Sequence, residues 1–121
     1  MANNTCIQDM DRYKKRTLAL KDAIELLSGK WKLCILLNLY YHGSMRFKDL
    51  EKTCIGITPK VLSKELQDLE ENLLVTRTVN NTKPVTVTYA ITGHANEIEP
   101  VIDALVEFGL KHRKKILSKI V

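Results

Sequence analysis

The sequence has few of the features that mark membrane-embedded or secreted proteins. Its longest uninterrupted apolar run is residues 33–37, whereas a helix that crosses a bilayer needs about 20 apolar residues. Residues 1–8 contain no apolar core of a secretory signal. Three cysteines are too few, and odd in number, for a disulfide scaffold. We therefore expect a cytoplasmic protein with reduced thiols and no contact with a membrane.

Motifs for catalysis and for cofactor binding are equally scarce. The three histidines, His42, His94 and His112, lack metal-ligand spacing with cysteines or acids. The sequence contains neither a glycine-rich phosphate loop nor a nucleophile motif. We therefore expect a protein that is not an enzyme and that holds no cofactor and no metal.

What the sequence does contain is a moderate excess of positive charge, and its placement is informative. The 121 residues are 45% hydrophobic and carry 19 Lys+Arg against 14 Asp+Glu, a net charge of +5. Residues 30–56 hold five basic and two acidic side chains, residues 57–72 two basic followed by four acidic, and residues 73–91 two basic and none acidic. This order makes a polyanion a candidate partner.

The length fits one domain preceded by a short arm. Residues 1–16 are polar and are expected to form an N-terminal arm, which leaves residues 17–121 as a single domain. Apolar residues then recur with helical spacing at Leu20, Ala23, Ile24 and Leu27. A second helix, apolar on several sides, is expected from Lys30 to about Gly43, with Trp31 in the core, and a short third one over residues 46–53.

The clearest helix start in the sequence is Thr58-Pro59. The Thr58 hydroxyl can cap the helix, and Pro59 suits its first position, where a missing N–H costs nothing. Leu62, Leu66 and Leu69 follow on one face, and the helix is expected to run to about Asn72.

A hairpin and a long final helix complete the expected fold. Residues 74–79 and 85–91 are rich in Val and Thr, and the second run alternates, which predicts one buried and one solvated face. The final helix, about residues 96–119, has more apolar positions than one stripe needs. Such a surplus indicates burial against a partner.

Three short helices followed by a two-stranded hairpin is the order of a winged helix-turn-helix. The sequence therefore predicts a mainly α (α+β) fold in which the third of these helices is the recognition helix and the hairpin is the wing. Away from its leucine face, this helix presents Lys60, Ser63, Lys64 and Gln67, which combine phosphate-binding charge with groups that can hydrogen bond to base edges. Its acidic C-terminal half would point away from the DNA.

Two other interpretations compete with DNA binding. The polar face of the helix could be an ordinary solvated surface, and a winged helix can also serve only protein–protein contact. A protein-binding helix would carry exposed apolar residues, and only Val61 fits that description. The residues predicted to contact double-stranded DNA are Arg46, Thr58, Lys60, Ser63, Lys64, Gln67, Arg77, Asn81 and Lys83.

Five segments, in order, resemble motifs of the HxlR-type winged helix regulators. They are Gly29-Lys30-Trp31 (Gly-Lys-Trp), residues 45–50 (Arg-Phe-x-x-Leu), residues 56–62 (Gly-Ile-Ser-x-x-x-Leu), residues 69–74 (Leu-Glu-x-x-Gly-Leu) and residues 84–94 (Pro-x-x-Val-x-Tyr-x-Leu-Thr). The resemblance implies a prokaryotic transcription regulator that dimerises through its N- and C-terminal helices. It also implies that two recognition helices bind a pseudo-palindromic operator.

The sequence departs from the family pattern at two places. Many members sense oxidants through a cysteine at the position of Leu18, so Cys6, in the arm, becomes the candidate for a redox effect. The nature of any small-molecule or redox effector stays open. We match the family's glycine before the wing to Asn72, which tolerates left-handed backbone geometry.

Overall fold

The computed structural model describes the backbone of residues 2–120 and the side chains of residues 8–119. Within these limits the elements are, in chain order, α1 (Ala2–Leu27), α2 (Lys32–His42), β1 (Met45–Arg46), α3 (Phe47–Thr53), α4 (Pro59–Glu71), β2 (Val75–Asn80), β3 (Thr86–Ile91), a 3₁₀ turn (His94–Ile98) and α5 (Glu99–Ile120). None of the helices over residues 2–120 has the length and apolarity that crossing a bilayer demands.

One hydrophobic core lies among α2, α3, α4 and the sheet. Ile35, Leu36 and Leu39 of α2 are fully buried, as are Leu50 of α3 and Leu62 of α4. Trp31 is half-buried and packs against this cluster, as expected. The mainly helical winged helix-turn-helix fold predicted from the sequence is confirmed, with α3 as the supporting helix and α4 as the recognition helix.

The sheet has three strands rather than the two expected. Its order is β1-β3-β2, and both pairings are antiparallel. The extra strand contains only Met45 and Arg46, which pair with Tyr89 and Thr88. Because β3 is the central strand, all of its residues are half-buried, and the predicted alternation of one buried and one solvated face is wrong there.

Helix α1 begins far earlier than its apolar spacing indicates. Of the residues expected to form a polar arm, residues 2–16 are helical, without a break between residues 16 and 17. Favourable pairs one turn apart, such as Asp11 with Lys15, stabilise a helix in water without an apolar face. All side chains of residues 8–25 are exposed, and among the α1 side chains that the structure describes only Leu26 and Leu27 pack against the core.

The final helix also starts differently from the expectation. A 3₁₀ turn covers residues 94–98, and α5 follows from Glu99. Pro100 has no N–H to donate to the carbonyl of Asn96, and that carbonyl instead accepts from the N–H of Glu99, one residue earlier.

The left-handed residue before the wing is Leu73, with φ 63°, and not Asn72, whose φ is −90°. The N–H of Leu74 donates to the carbonyl of Leu69 and that of Leu73 to the carbonyl of Glu70, which together form a Schellman motif. Such motifs usually carry glycine at the position that Leu73 occupies. Matching the family glycine to Asn72 is therefore wrong, and the motif Leu-Glu-x-x-Gly-Leu, counted from Leu69, itself leads to residue 73.

Leu73→Gly is expected to stabilise the fold by about 1 kcal/mol, because a left-handed conformation is costly for a residue with a Cβ. The Leu73 side chain is 70% exposed, so little packing is lost. Leu73→Ala removes the same side chain but keeps the Cβ, and it serves as the control. In urea unfolding, the midpoint should rise for the Leu73→Gly variant only. Equal midpoints for the two variants would contradict backbone strain at this position.

Candidate nucleic-acid interface

Helix α4 has a buried face and an exposed polar face. The side chain of Thr58 accepts a hydrogen bond from the N–H of Val61 at 3.3 Å, which confirms the predicted cap, and Pro59 occupies the first position. Leu62, Leu66 and Leu69 are buried. The opposite face exposes the four predicted contact residues Lys60, Ser63, Lys64 and Gln67. The N-terminus of α4 therefore combines positive charge with hydrogen-bonding groups.

A cleft of about 260 Å³ separates α4 from the hairpin. Ser63 and Gln67 line it from the helix, and Arg77 and Tyr89 line it from strands β2 and β3. Arg77 and Tyr89 are direct cross-strand partners and share one face of the sheet. The fold thus brings three of the predicted residues, Ser63, Gln67 and Arg77, to one cleft.

The other predicted residues lie around this cleft or away from it. Asn81 and Lys83 are exposed at the tip of the hairpin. Thr58 uses its oxygen for the cap, and its hydroxyl hydrogen stays available to a phosphate. Arg46 pairs with Thr88, the residue before Tyr89 in β3. Because neighbouring residues of a strand point to opposite faces, Arg46 lies on the face of the sheet opposite to Arg77, which pairs with Tyr89.

An ion cluster fixes α4 against α2. The Lys32 ammonium lies 2.8 Å from the carboxylate of Glu65 and 3.5 Å from that of Asp68. Burial lowers the pKa of Lys32, but the hydrogen bond and the charge of Glu65, together with Asp68, outweigh it, and the pKa lies above its usual 10.5. Lys32 is thereby shared by two acidic groups of α4, so one of their two negative charges is offset within the protein, and the Lys32 charge is used there.

Sequence reasoning missed this cluster and two lining residues of the cleft. Glu65 and Asp68 are three residues apart beside the leucine stripe, and this spacing next to a buried face is the signal that could have indicated an internal partner. Glu70 and Tyr89 line the cleft with Gln67 and Arg77. The carboxylate of Glu70 in this cleft can accept a hydrogen bond from the amino group of a base, and it repels a phosphate.

The three cysteines lie in α1, in α2 and directly after α3. Over the described residues, no group of three or more His, Cys, Asp or Glu side chains could hold a metal ion. Cys6 lies on the backbone of α1, but its side chain is outside the described residues, so the predicted redox role is not tested. Cys34 and Cys54, in contrast, lie close together between α2 and the end of α3.

The comparisons with known proteins agree with this architecture. Residues 26–116 match the family described as HxlR-like helix-turn-helix. The chain is 33% identical over 109 residues to the HTH-type transcriptional regulator BH0655 of Halalkalibacterium halodurans, covering 86% of this chain and 96% of BH0655. It is 30% identical over 103 residues to the HTH-type transcriptional regulator YtcD of Bacillus subtilis, covering 85% of this chain and 81% of YtcD.

Solved structures are similar as well. The crystal structure of YtcD superposes with a TM-score of 0.73 at 32% identity, over 78% of this chain and 96% of that chain. The redox regulator HypR in its reduced form superposes with a TM-score of 0.77 at 27% identity, over 83% of this chain and 98% of that one. Members of this group are transcriptional regulators rather than enzymes, in agreement with the sequence analysis. The chain therefore belongs to the HxlR-like helix-turn-helix family of DNA-binding transcription regulators.

Proposed function

We propose that the chain binds a pseudo-palindromic operator in double-stranded DNA as a homodimer and represses transcription by occupying it. The observation that carries this proposal is the exposed face of α4, with Lys60, Ser63, Lys64 and Gln67 beside the cleft that Arg77 lines. A recognition helix reads base edges with its N-terminal residues, and this is the basic end of α4. Occupancy alone can exclude other proteins from a promoter, so repression needs no further surface.

Each side chain of this surface receives a role from its chemistry. Lys60, Lys64 and Lys83 bind phosphates through their charge, and Thr58 donates to a phosphate from its hydroxyl. Gln67 reads a base edge; its amide lies 3.5 Å from the Glu71 carboxylate, a weak contact that leaves it free to turn. Arg77 and Asn81 contact the backbone or minor groove from the wing, and Arg46 binds a flanking phosphate.

Exposed apolar surface on α1 and α5 supports the dimer. Apolar side chains of α1, α2 and α5 line a groove of about 300 Å³, and an adjoining groove of about 280 Å³ continues along α2 and α5. Leu105 lines both grooves and is 49% exposed. A large apolar patch on a protein surface usually marks an interface.

A second copy of the chain is the occupant that fits these grooves. The α5 helix itself offers exposed apolar side chains along its length: Val101, Leu105, Val106, Phe108, Leu110, Ile116 and Leu117. Pairing two such helices about a twofold axis matches one apolar stripe with another. The same axis presents two recognition helices to two half-sites, as a pseudo-palindromic operator requires.

Genomic selection tests the proposal. The purified full chain is incubated with fragmented DNA of its source genome at physiological salt, and bound fragments are sequenced. We expect enrichment of fragments that share an inverted repeat with half-sites about one helical turn apart. Binding no tighter than to random DNA would overturn the proposed function.

Two substitutions in α4 are expected to weaken DNA binding in different ways. Lys64→Ala should reduce affinity for all sequences alike and lower the salt dependence by about one phosphate contact. Gln67→Ala should cost about 1–3 kcal/mol, and only against the base pair that it reads. The control is Lys111→Ala on α5, whose ammonium pairs with Glu107 at 3.1 Å. Indistinguishable effects of the two α4 substitutions on every sequence would contradict these roles.

A further inference from the structure

Two thiols from separate helices lie within contact distance. The Sγ atoms of Cys34 in α2 and Cys54 at the end of α3 are 3.5 Å apart, although the residues are 20 positions apart in sequence. The amide nitrogen of Asn38 donates to the carbonyl of Cys34 at 2.9 Å and lies 3.6 Å and 3.7 Å from the two sulfurs. A polar donor therefore faces both sulfurs at once.

The two thiols differ in access to solvent. Cys54 is fully buried, whereas Cys34 is half-buried and lines the groove between α2 and α5 with Leu37 and Ile102. Burial, followed by the hydrogen bond and the charge of Cys34, raises the pKa of Cys54 to about 12. An oxidant arriving from solution therefore meets Cys34 first, and Cys54 is placed to react second.

We propose that Cys34 and Cys54 form an intramolecular disulfide when a hydroperoxide oxidises the chain. The Cys34 sulfur attacks one oxygen of hydrogen peroxide and gives it two electrons, and the O–O bond breaks. Cys34 becomes a sulfenic acid, and the other oxygen leaves as water with the thiol proton. The Cys54 sulfur then attacks the Cys34 sulfur. An S–S bond forms, and the sulfenic hydroxyl leaves with the Cys54 proton as a second water.

The surroundings favour this reaction over deeper oxidation. Asn38 donates toward both sulfurs and stabilises negative charge as it develops on each. The second thiol lies in contact with the first, so the sulfenic acid has a partner before a second peroxide arrives. The proposed dimer covers this groove, and hydrogen peroxide is small enough to reach Cys34 beneath the partner copy.

The disulfide would move the start of the recognition helix. An S–S bond is about 2.05 Å long, so the sulfurs must approach each other by about 1.5 Å. The carbonyl of Cys54 accepts from the N–H of Ile57 at 3.0 Å, and α4 starts two residues later at Pro59. Drawing Cys54 toward α2 therefore displaces this turn and lowers DNA affinity, a consequence that rests on the proposed function.

Disulfide mapping tests the chemistry independently of DNA. The folded Cys6→Ser chain is treated with hydrogen peroxide, its free thiols are alkylated, and its peptides are analysed by mass spectrometry. We expect a crosslink between the peptides of Cys34 and Cys54 within one polypeptide chain, and dithiothreitol should reverse it. Cys34 oxidised beyond the sulfenic acid while Cys54 remains alkylatable would overturn the proposal.

DNA-binding measurements then separate the proposed effect of oxidation on affinity from DNA binding itself. Oxidised Cys6→Ser chain should bind its selected DNA about tenfold more weakly than the reduced chain, and Cys6→Ser/Cys34→Ser and Cys6→Ser/Cys54→Ala should not respond to peroxide. A mapped disulfide with unchanged DNA affinity would contradict only the proposed effect of oxidation on DNA binding. A reduced chain that binds no DNA would refute the proposed function and leave the mapped thiol chemistry standing.

Discussion

Leu105→Glu is expected to yield a folded monomer that binds operator DNA about a hundredfold more weakly. In the single chain the Leu105 side chain is 49% exposed, so a carboxylate there remains solvated and costs the fold little. In the proposed dimer the same carboxylate would be buried in both copies without a partner, which costs several kcal/mol each. Two joined recognition helices bind their two half-sites about 10²–10⁴ more tightly than one helix binds one half-site, and a monomer loses this gain.

Sedimentation and DNA-binding titration measure the two effects on one sample. Leu105→Met conserves volume and apolarity, and it should remain dimeric with wild-type affinity. Circular dichroism and urea unfolding of the glutamate variant show whether the winged fold persists. A glutamate variant that sediments as a dimer at micromolar concentration would refute the assignment of this surface. A monomer that keeps wild-type operator affinity would refute the need for two recognition helices.

The parts of the fold that sequence reasoning predicts well are those with local causes. Helix α4 is the best example, because a cap, a proline at the first position and leucines one turn apart all lie within its own sequence. The same holds for the hairpin, whose two runs were predicted within one residue of β2 and β3. The exposed polar face of α4 follows directly from the leucine face opposite to it.

The parts that it missed depend on distant partners. Strand β1 has two residues, too few for any periodicity, and it exists because β3 offers a free edge. The half-buried state of the whole of β3 follows from its position between β1 and β2 and from its contacts with α2 and α3. The Lys32 cluster and the Cys34–Cys54 contact each join residues from separate helices, so the spacing within one helix does not identify the partner on the other. Leu73 contradicts the usual choice of glycine, so residue preferences lead to the wrong neighbour.

Lys32→Met is expected to destabilise the fold by about 2–4 kcal/mol, because it leaves the Glu65 carboxylate mostly buried without its cation. The side chains of Lys32 and Glu65 are 12% and 15% exposed, and Asp68 is 37% exposed and keeps more of its hydration. The cluster also orients α4 against α2, so DNA affinity should fall with stability.

The pH dependence of this contribution has a definite sign. The pKa of Lys32 is raised in the folded chain, so its stabilisation is fully present below the unfolded value of 10.5 and is lost as the pH rises through the folded value. The stability difference between wild type and Lys32→Met should therefore be constant near neutral pH and shrink in strong alkali. A difference that shrinks between pH 7 and 9 would point to another cause.

A double-mutant cycle with Lys32→Met and Glu65→Met isolates the ion pair from the general effects of each substitution. The double variant places two apolar side chains at the α2–α4 contact and should recover most of the stability lost by Lys32→Met alone. Urea unfolding at a fixed chain concentration gives each free energy, and an unchanged slope indicates that the same surface unfolds. If the losses of the two single variants simply add in the double variant, the two side chains do not interact, and α4 is held against α2 by its leucines alone.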